Sequence, residues 1–238
     1  MNLTVLQTKS TNDFSANLQN LELLILHCKK GDFILAPELA VTGYSYDNMD
    51  LAVEYTQQAI DSFIKLSVDK TIAITLITKE ANNYFNTLHI FHKGKIVHQQ
   101  SKHKIFVLNQ EKEYFTDGAL EDIKLIDIDG VKVAALICFE LRFIELWKQI
   151  QGADIILVPA MWGLPRKENF ETLTQALAVA NQCFVMASGS ANSDCAKSSA
   201  IITPNGKKFQ DDMKEMISKD VNLEEITQMR NHLDVGIQ

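Results

Sequence analysis

Cysteine is scarce in this chain and no hydrophobic run is long. The 238 residues hold four cysteines, Cys28, Cys138, Cys183 and Cys195, which are scattered and share no metal-ligand spacing. That pattern reads as an intracellular, cytoplasmic protein with free thiols and no metal site. No apolar run approaches the roughly 20 residues that a bilayer span requires. The opening MNLTVLQTKS lacks a basic region, a hydrophobic stretch and a small-residue cleavage site, so no signal peptide is expected. Positive charge is in the minority, and a net charge of −7 argues against nucleic acid or anionic membrane as main partners. Prolines number four and glycines ten, and no Pro/Gly/Ser-rich linker or low-complexity stretch divides the chain. One domain over residues 1–238 is the expectation.

What is present is an ordinary globular balance, 46% hydrophobic and 22% charged, in a chain long enough to bury a substantial core. Strands are predicted at Leu3–Gln7, Asp32–Ala36, Thr71–Thr78, Ile123–Ile128, Val131–Ile137, Asp154–Ala160 and Cys183–Ser188. Hairpins are predicted around Lys93-Gly94 and Pro204-Asn205-Gly206. Helical periodicity marks the segment around Leu18–Leu26, then Leu51–Leu66, Phe170–Asn181 and Leu223–Leu233. Asp32–Pro37 and Asp154–Pro159 share one pattern, an aspartate, four apolar residues and a proline. The echo predicts equivalent strands in two halves of one domain, both opening onto the same cleft. His89 and His92 fall on opposite faces of a strand and make a poor metal site.

The segment Val131–Phe143, VKVAALICFELRF, organises the rest. Its apolar start reads as a strand buried on both faces. Directly after Cys138 the pattern turns polar and helical, with Glu140, Arg142 and Glu145 among Leu141, Phe143, Ile144 and Leu146. A thiol at such a junction has the placement of a nucleophile beside backbone N–H groups. It is equally the placement of a buried cysteine acting as a small hydrophobe. Glu38 follows Pro37 at another strand end, where partial desolvation raises a carboxyl toward neutrality, unless the side chain simply faces water. Lys102, in QSKHKIF, could hold an ammonium at a fixed point or belong to a basic, solvated edge with His98, His103 and Lys104.

Together, Glu38, Lys102 and Cys138 resemble the Glu–Lys–Cys arrangement of the nitrilase superfamily, the carbon–nitrogen hydrolases. APELAVTGY (Ala36–Tyr44) is similar to that family's P-E-x-x-x-x-G-Y block, and SKHKIF to its K-x-H-L-F block, with Lys104 where histidine is usual. EKEYFTDG (Glu111–Gly118) resembles E-x-x-x-F-x-P-G with Asp117 for proline; the resemblance implies Glu111, with Glu113 as the alternative, as a second active-site glutamate. LICFELRFIEL (Leu136–Leu146) resembles I-C-Y-D-x-R-F-P-E, with Phe139, Glu140 and Ile144 as departures. GADIILVPAMW, QALAVANQCFVMAS and SAIITPNG continue the likeness to about residue 210, although the helix beginning at Gln175 lacks the arginines and glutamate common there.

The resemblance implies an α/β fold, a four-layer α-β-β-α sandwich, and a homodimer or higher homo-oligomer. It implies hydrolysis of a small non-peptide amide, ω-amidase-like, or of a carbamoyl compound, with no cofactor. Glu38 is then the base, Cys138 the nucleophile, and Lys102 with the Phe139 backbone N–H the oxyanion site. Glu111 orients Lys102 or the substrate. Glu140 and Arg142 are expected to brace the turn around Cys138 as a charged pair. Cys28, Cys183 and Cys195 are expected to be packing or surface thiols. The Ala160–Phe170 stretch is expected to line the pocket, with Trp162 there and Arg166 or Lys167 meeting a substrate carboxylate. Two other classes compete: a Cys–His hydrolase, and a relative that keeps the fold as a binding module.

Overall fold

A computed structural model describes Met1–Ile237; Gln238, the last residue of the expected domain, lies outside the described residues. In chain order the elements are β1 (Asn2–Leu6), α1 (Phe14–His27), β2 (Phe33–Leu35), α2 (Met49–Leu66), β3 (Thr71–Glu80), β4 (Asn83–His92) and β5 (Lys95–Ser101). There follow α3 (Glu111–Tyr114), β6 (Ile126–Ile128), β7 (Val131–Ala135), α4 (Ile144–Gln149), β8 (Ile155–Ala160) and α5 (Lys167–Asn181). The remainder is β9 (Phe184–Gly189), β10 (Ala200–Ile202), β11 (Lys208–Gln210), β12 (Met216–Asp220) and α6 (Glu224–His232). The strands form two six-stranded mixed sheets, ordered β12-β1-β2-β3-β4-β5 and β11-β10-β9-β8-β7-β6.

Side-chain alternation along the strands decides the layering. On β2, Phe33 and Leu35 enter the core between the sheets, and Ile34 points the other way toward α1 and α2. On β3, Ala73 faces inward, whereas Ile72 and Ile74 join Leu18, Leu21, Ile25 and Phe63 of the two helices. The second sheet presents Val133, Ala135, Ile155 and Leu157 to the same core, which continues through Phe170 and Leu177 of α5. The sheets are also tied polar to polar: the Ser188 hydroxyl on β9 donates to the Leu6 carbonyl on β1 at 2.6 Å. The result is helices outside, two sheets inside, as the α-β-β-α expectation requires. No helix among the described residues is long and apolar enough to cross a membrane.

The sequence echo has a structural counterpart. β2 is the centre of a parallel trio with β1 and β3, and β8 the centre of one with β7 and β9. Pro37 lies beyond β2, but Pro159 stays inside β8, opposite Ser188 of β9. The Leu157 carbonyl accepts the Leu136 N–H from the β7 side. Two residues on, Pro159 turns its missing donor to that same side, where β7 pairing has already ended.

One strand has no forerunner in the sequence reading. β12 pairs antiparallel with β1, Asn2 opposite Asp220 through Leu6 opposite Met216. Its KEMISKD surroundings are charged and lack an apolar run, because only Ile217 of the strand is buried. The strand read as Val131–Ile137 stops at Ala135, with one further N–H, that of Leu136, still donating to the Leu157 carbonyl.

Candidate active site

Glu38, Lys102 and Cys138 follow β2, β5 and β7, and all three meet at one spot. Glu38 and Lys102 are fully buried, so neither solvated reading of them holds. The Lys102 Nζ donates to Glu38 Oε1 at 2.8 Å, to Glu111 Oε1 at 2.7 Å and to the Tyr44 hydroxyl at 3.2 Å. Cys138 lies within the electrostatic reach of both Glu38 and Lys102, whose charges act on its thiol in opposite senses. Of the two candidate glutamates, Glu111 is buried on Lys102 and Glu113 is exposed.

Each of these side chains is held by its neighbours. Glu38 Oε1 also accepts from Asn86 Nδ2 at 2.8 Å and from the Tyr44 hydroxyl at 2.9 Å. Its Oε2 accepts the Met161 backbone N–H at 3.0 Å, which links β2 to the end of β8. Lys102 continues the β5 ladder through its N–H to the Asn86 carbonyl at 2.8 Å. Glu111 Oε2 takes the Phe106 N–H at 2.8 Å. Cys138 has φ +52°, left-handed for a residue with a Cβ, and opens a tight 3-10 turn over Cys138–Arg142. Such backbone costs roughly 1–2 kcal/mol and persists only where its surroundings impose it.

Glu140 imposes it. Its buried carboxylate accepts the Ile137 N–H at 2.6 Å on one oxygen, and the His103 and Lys104 N–H groups at 2.6 and 3.4 Å on the other. Burial pushes this carboxyl up to about 7 despite those donors. The expected Glu140–Arg142 ion pair is absent among the described residues. Arg142 instead points outward, to Asn169 Oδ1 at 3.1 Å and over the Trp162 ring at 5.1 Å. The turn is braced by backbone N–H groups, which occupy both oxygens of the Glu140 carboxylate.

The electrostatics correct one expectation. Burial alone would raise the Glu38 carboxyl, but the Lys102 ammonium, the neighbouring thiol and the Lys102 and Tyr44 hydrogen bonds outweigh it and hold Glu38 below the ordinary carboxylate range. Burial raises Glu111, only partly offset by Lys102. Lys102 stays protonated, because Glu38, Cys138 and Glu111 outweigh its burial. Burial, then the Glu38 charge, push the Cys138 thiol well above its usual value. The resting site is therefore a thiol facing a carboxylate, not a preformed thiolate.

Of these groups Cys138 opens onto a cavity of about 300 Å³, whose other walls include Tyr44, Phe139, Trp162, Arg142 and Arg166. Phe139 packs edge-on against Phe106, with ring centroids 5.0 Å apart. Trp162 Nε1 donates to the Arg166 carbonyl at 2.9 Å, and the Arg166 guanidinium lies 5.1 Å from the Phe106 ring centre. Lys167 is not part of this wall; it is tied to Asp212, Ser198 and the Ala196 carbonyl. Cys28 and Cys183 are buried packing thiols, but Cys195 lines the cavity. No histidine lines it among the described residues, which leaves the Cys–His alternative without a base.

Sequence reasoning passed over Asn86, Tyr44, Arg142 and Cys195 as wall or site residues. Tyr44 and Arg142 stood inside motifs already singled out. Asn86 and Cys195 carried no local signal, since only strand pairing and the Gly163–Cys195 bridge bring them in.

A family model described as carbon–nitrogen hydrolase matches residues 2–231. The 2-oxoglutaramate amidase of Bacillus subtilis is 29% identical over 235 residues, covering 93% of this chain and 90% of that protein. The deaminated glutathione amidase of Escherichia coli O157:H7 is 27% identical, covering 85% and 82%. Among solved structures, Saccharomyces cerevisiae Nit3, a member of branch 10 of the nitrilase superfamily, superposes with TM-score 0.85 at 22% identity, covering 100% of this chain and 96% of its own. A carbon–nitrogen hydrolase from Helicobacter pylori gives 0.87 at 20% identity, covering 98% and 92%. With the fold and the match both spanning nearly the whole length, the chain belongs to the carbon–nitrogen hydrolase family, the nitrilase superfamily.

Proposed function

We propose that this protein is an amidase that releases ammonia from a small, carboxylate-bearing, non-peptide amide through a thioester on Cys138. The observation that carries the reading is Cys138 at the wall of a cavity with the buried Glu38–Lys102 pair behind it. Glu38 takes the thiol proton as the sulfur attacks the amide carbon, which matters because the thiol is held protonated. The carbonyl π pair moves onto oxygen, and the Lys102 ammonium and the Phe139 backbone N–H stabilise that oxyanion. Collapse expels ammonia, which receives the proton from Glu38. Glu38 then deprotonates a water that attacks the thioester carbon, and the departing sulfur is reprotonated. Glu111 keeps Lys102 oriented throughout.

Charge supports the substrate class: of the charged residues lining the cavity two are arginines and one, Asp194, is acidic. Arg142 and Arg166 line the cavity, each stacked on an aromatic ring, and neither forms an ion pair with a carboxylate among the described residues. A substrate carboxylate supplies the missing partner, and a dicarboxylate monoamide is the simplest molecule offering both groups. Two relatives named for amidase activity, a 2-oxoglutaramate amidase and a deaminated glutathione amidase, support an amide substrate. Assembly into a homodimer or larger homo-oligomer belongs to it as well, and light scattering decides that point.

Ammonia release measured across a panel of acidic amides, neutral amides and carbamoyl compounds is the test. Turnover of acidic amides by the native chain and none by Cys138→Ala is expected. Undiminished turnover in Cys138→Ala would overturn the proposal. Iodoacetamide labelling of Cys138 should be slowed by Glu38→Gln, whereas Cys28, whose burial pushes it up to about 11 and on which Glu38 does not act, should label at an unchanged rate.

A further inference from the structure

An ammonium has three protons to donate. Those of Lys102 go to Glu111 Oε1 at 2.7 Å, Glu38 Oε1 at 2.8 Å and the Tyr44 hydroxyl at 3.2 Å. If Lys102 is an oxyanion donor, as the proposed reaction requires, one of these bonds must be given up when the tetrahedral intermediate forms. The two bonds to carboxylates are short and charge-assisted; the bond to Tyr44 is the longest and its acceptor is neutral. Tyr44 also stands on the right side, since it lines the cavity together with Cys138.

The same hydroxyl acts on the base. Two carboxylate oxygens stand within reach of its proton, Glu38 Oε1 at 2.9 Å and Glu111 Oε1 at 3.3 Å. The shorter contact takes it to Glu38 Oε1, which then accepts from Tyr44, Lys102 and Asn86. Glu38 Oε2 accepts only the Met161 N–H among the N–H and O–H donors of the described residues, and so has room for the proton leaving the thiol. The Tyr44 ring is itself locked. It packs edge-on to Phe115 at 6.0 Å and against Tyr46 at 5.7 Å, and Gly43 before it adopts φ +60°.

We infer that Tyr44 is a positioning residue of the hydrolysis: its hydroxyl holds the third Lys102 proton in the direction of the cavity and yields it to the oxyanion, while its own O–H keeps Glu38 Oε1 occupied so that Oε2 receives the thiol proton. No proton is transferred from Lys102 or Tyr44. The C–S bond forms as the S–H proton passes to Glu38, and only the acceptor of one Lys102 N–H changes. The charged and titratable groups around the hydroxyl are Glu38, Glu111, Lys102, Cys138 and Tyr46.

Tyr44→Phe keeps the ring and its packing and removes one oxygen. The expected result is a fall in kcat of roughly tenfold or more with KM within about twofold, since the affected contact is made only in the transition state. The acid limb of kcat/KM is expected to move to higher pH, because Glu38 loses one of the donors that stabilise its charge. A variant matching the native enzyme in both readouts, one that is faster, or one altered in KM alone would overturn the inference. Iodoacetamide labelling of Cys138 followed against pH reads the same limb without a substrate. If no amide in the panel is cleaved, that limb decides by itself: moved upward it upholds the hold of Tyr44 on Glu38, unmoved it removes it.

Discussion

The Glu140 carboxylate accepts the His103 backbone N–H at 2.6 Å, and its second oxygen accepts the Ile137 N–H at the same distance. One buried side chain thus ties the residue after Lys102 to the residue before Cys138. The cation and the thiol cannot drift apart without breaking it. Glu140→Gln puts an NH₂ group against one of these N–H donors and should cost about 1–3 kcal/mol and much of the activity. Because burial raises Glu140 to about 7, the native form binds a proton that the unfolded chain has already lost above about 4.5. Its contribution to stability is therefore full below that lower value and is lost as pH rises through about 7. Denaturant unfolding of the native chain and Glu140→Gln at pH 4.5 and 7.5 should show the native advantage shrinking with pH. A constant difference would exclude this linkage.

Lys102 neutralises two buried carboxylates, and its removal should be costly. Lys102→Met leaves Glu38 and Glu111 facing each other without a cation, a loss of roughly 3–5 kcal/mol. The sign with pH is opposite to that of Glu140. In the native chain Glu38 is held below its unfolded value of about 4.5, so its stabilisation is present above that value and lost as pH falls. The deficit of Lys102→Met should accordingly widen between pH 4 and pH 7. Equal deficits at the two ends would contradict the charge arrangement.

Gly118 is required by space. A Cβ there would stand 2.1 Å from the Ser101 carbonyl oxygen, and that oxygen is backbone, so it cannot swing aside. The Gly118 N–H also donates to the Lys102 carbonyl at 2.8 Å. Gly118→Ala should lower stability by about 1–3 kcal/mol and displace Lys102. A depressed melting temperature with lowered kcat is expected; an unchanged kcat would mean that the strand end yields without moving the ammonium.

Arg142 and Arg166 should separate binding from chemistry. Arg166→Ala or Arg142→Ala should raise KM for acidic amides roughly tenfold or more and leave neutral amides nearly unaffected, since the lost contact is to a remote carboxylate. The ratio of kcat/KM for an acidic and a neutral amide measures this. A ratio unchanged in both variants would discard the carboxylate-bearing substrate.

Much of the molecule was legible before its structure. The echo of Asp32–Pro37 in Asp154–Pro159 marked the central strands of two parallel trios, because a strand buried on both faces has no polar alternation to disguise it. β12 was not legible, because one buried residue in five carries no pattern and its pairing partner β1 lies more than 200 residues away. Arg142 was read as structural from its nearness in sequence to Glu140, yet a tight turn separates adjacent side chains, one inward and one toward Asn169.

The sequence by itself determined that Glu38, Lys102 and Cys138 each close a β-strand, since alternation, apolar runs and strand-end residues are local properties. Only the tertiary structure decided that those ends converge, that Glu38 rests below rather than above the ordinary carboxylate range, and that Lys102 and Tyr44 hold it there. Charge interactions and hydrogen bonds depend on distance in space. Across 64 residues between Glu38 and Lys102, only the pairing and stacking of the two sheets sets that distance.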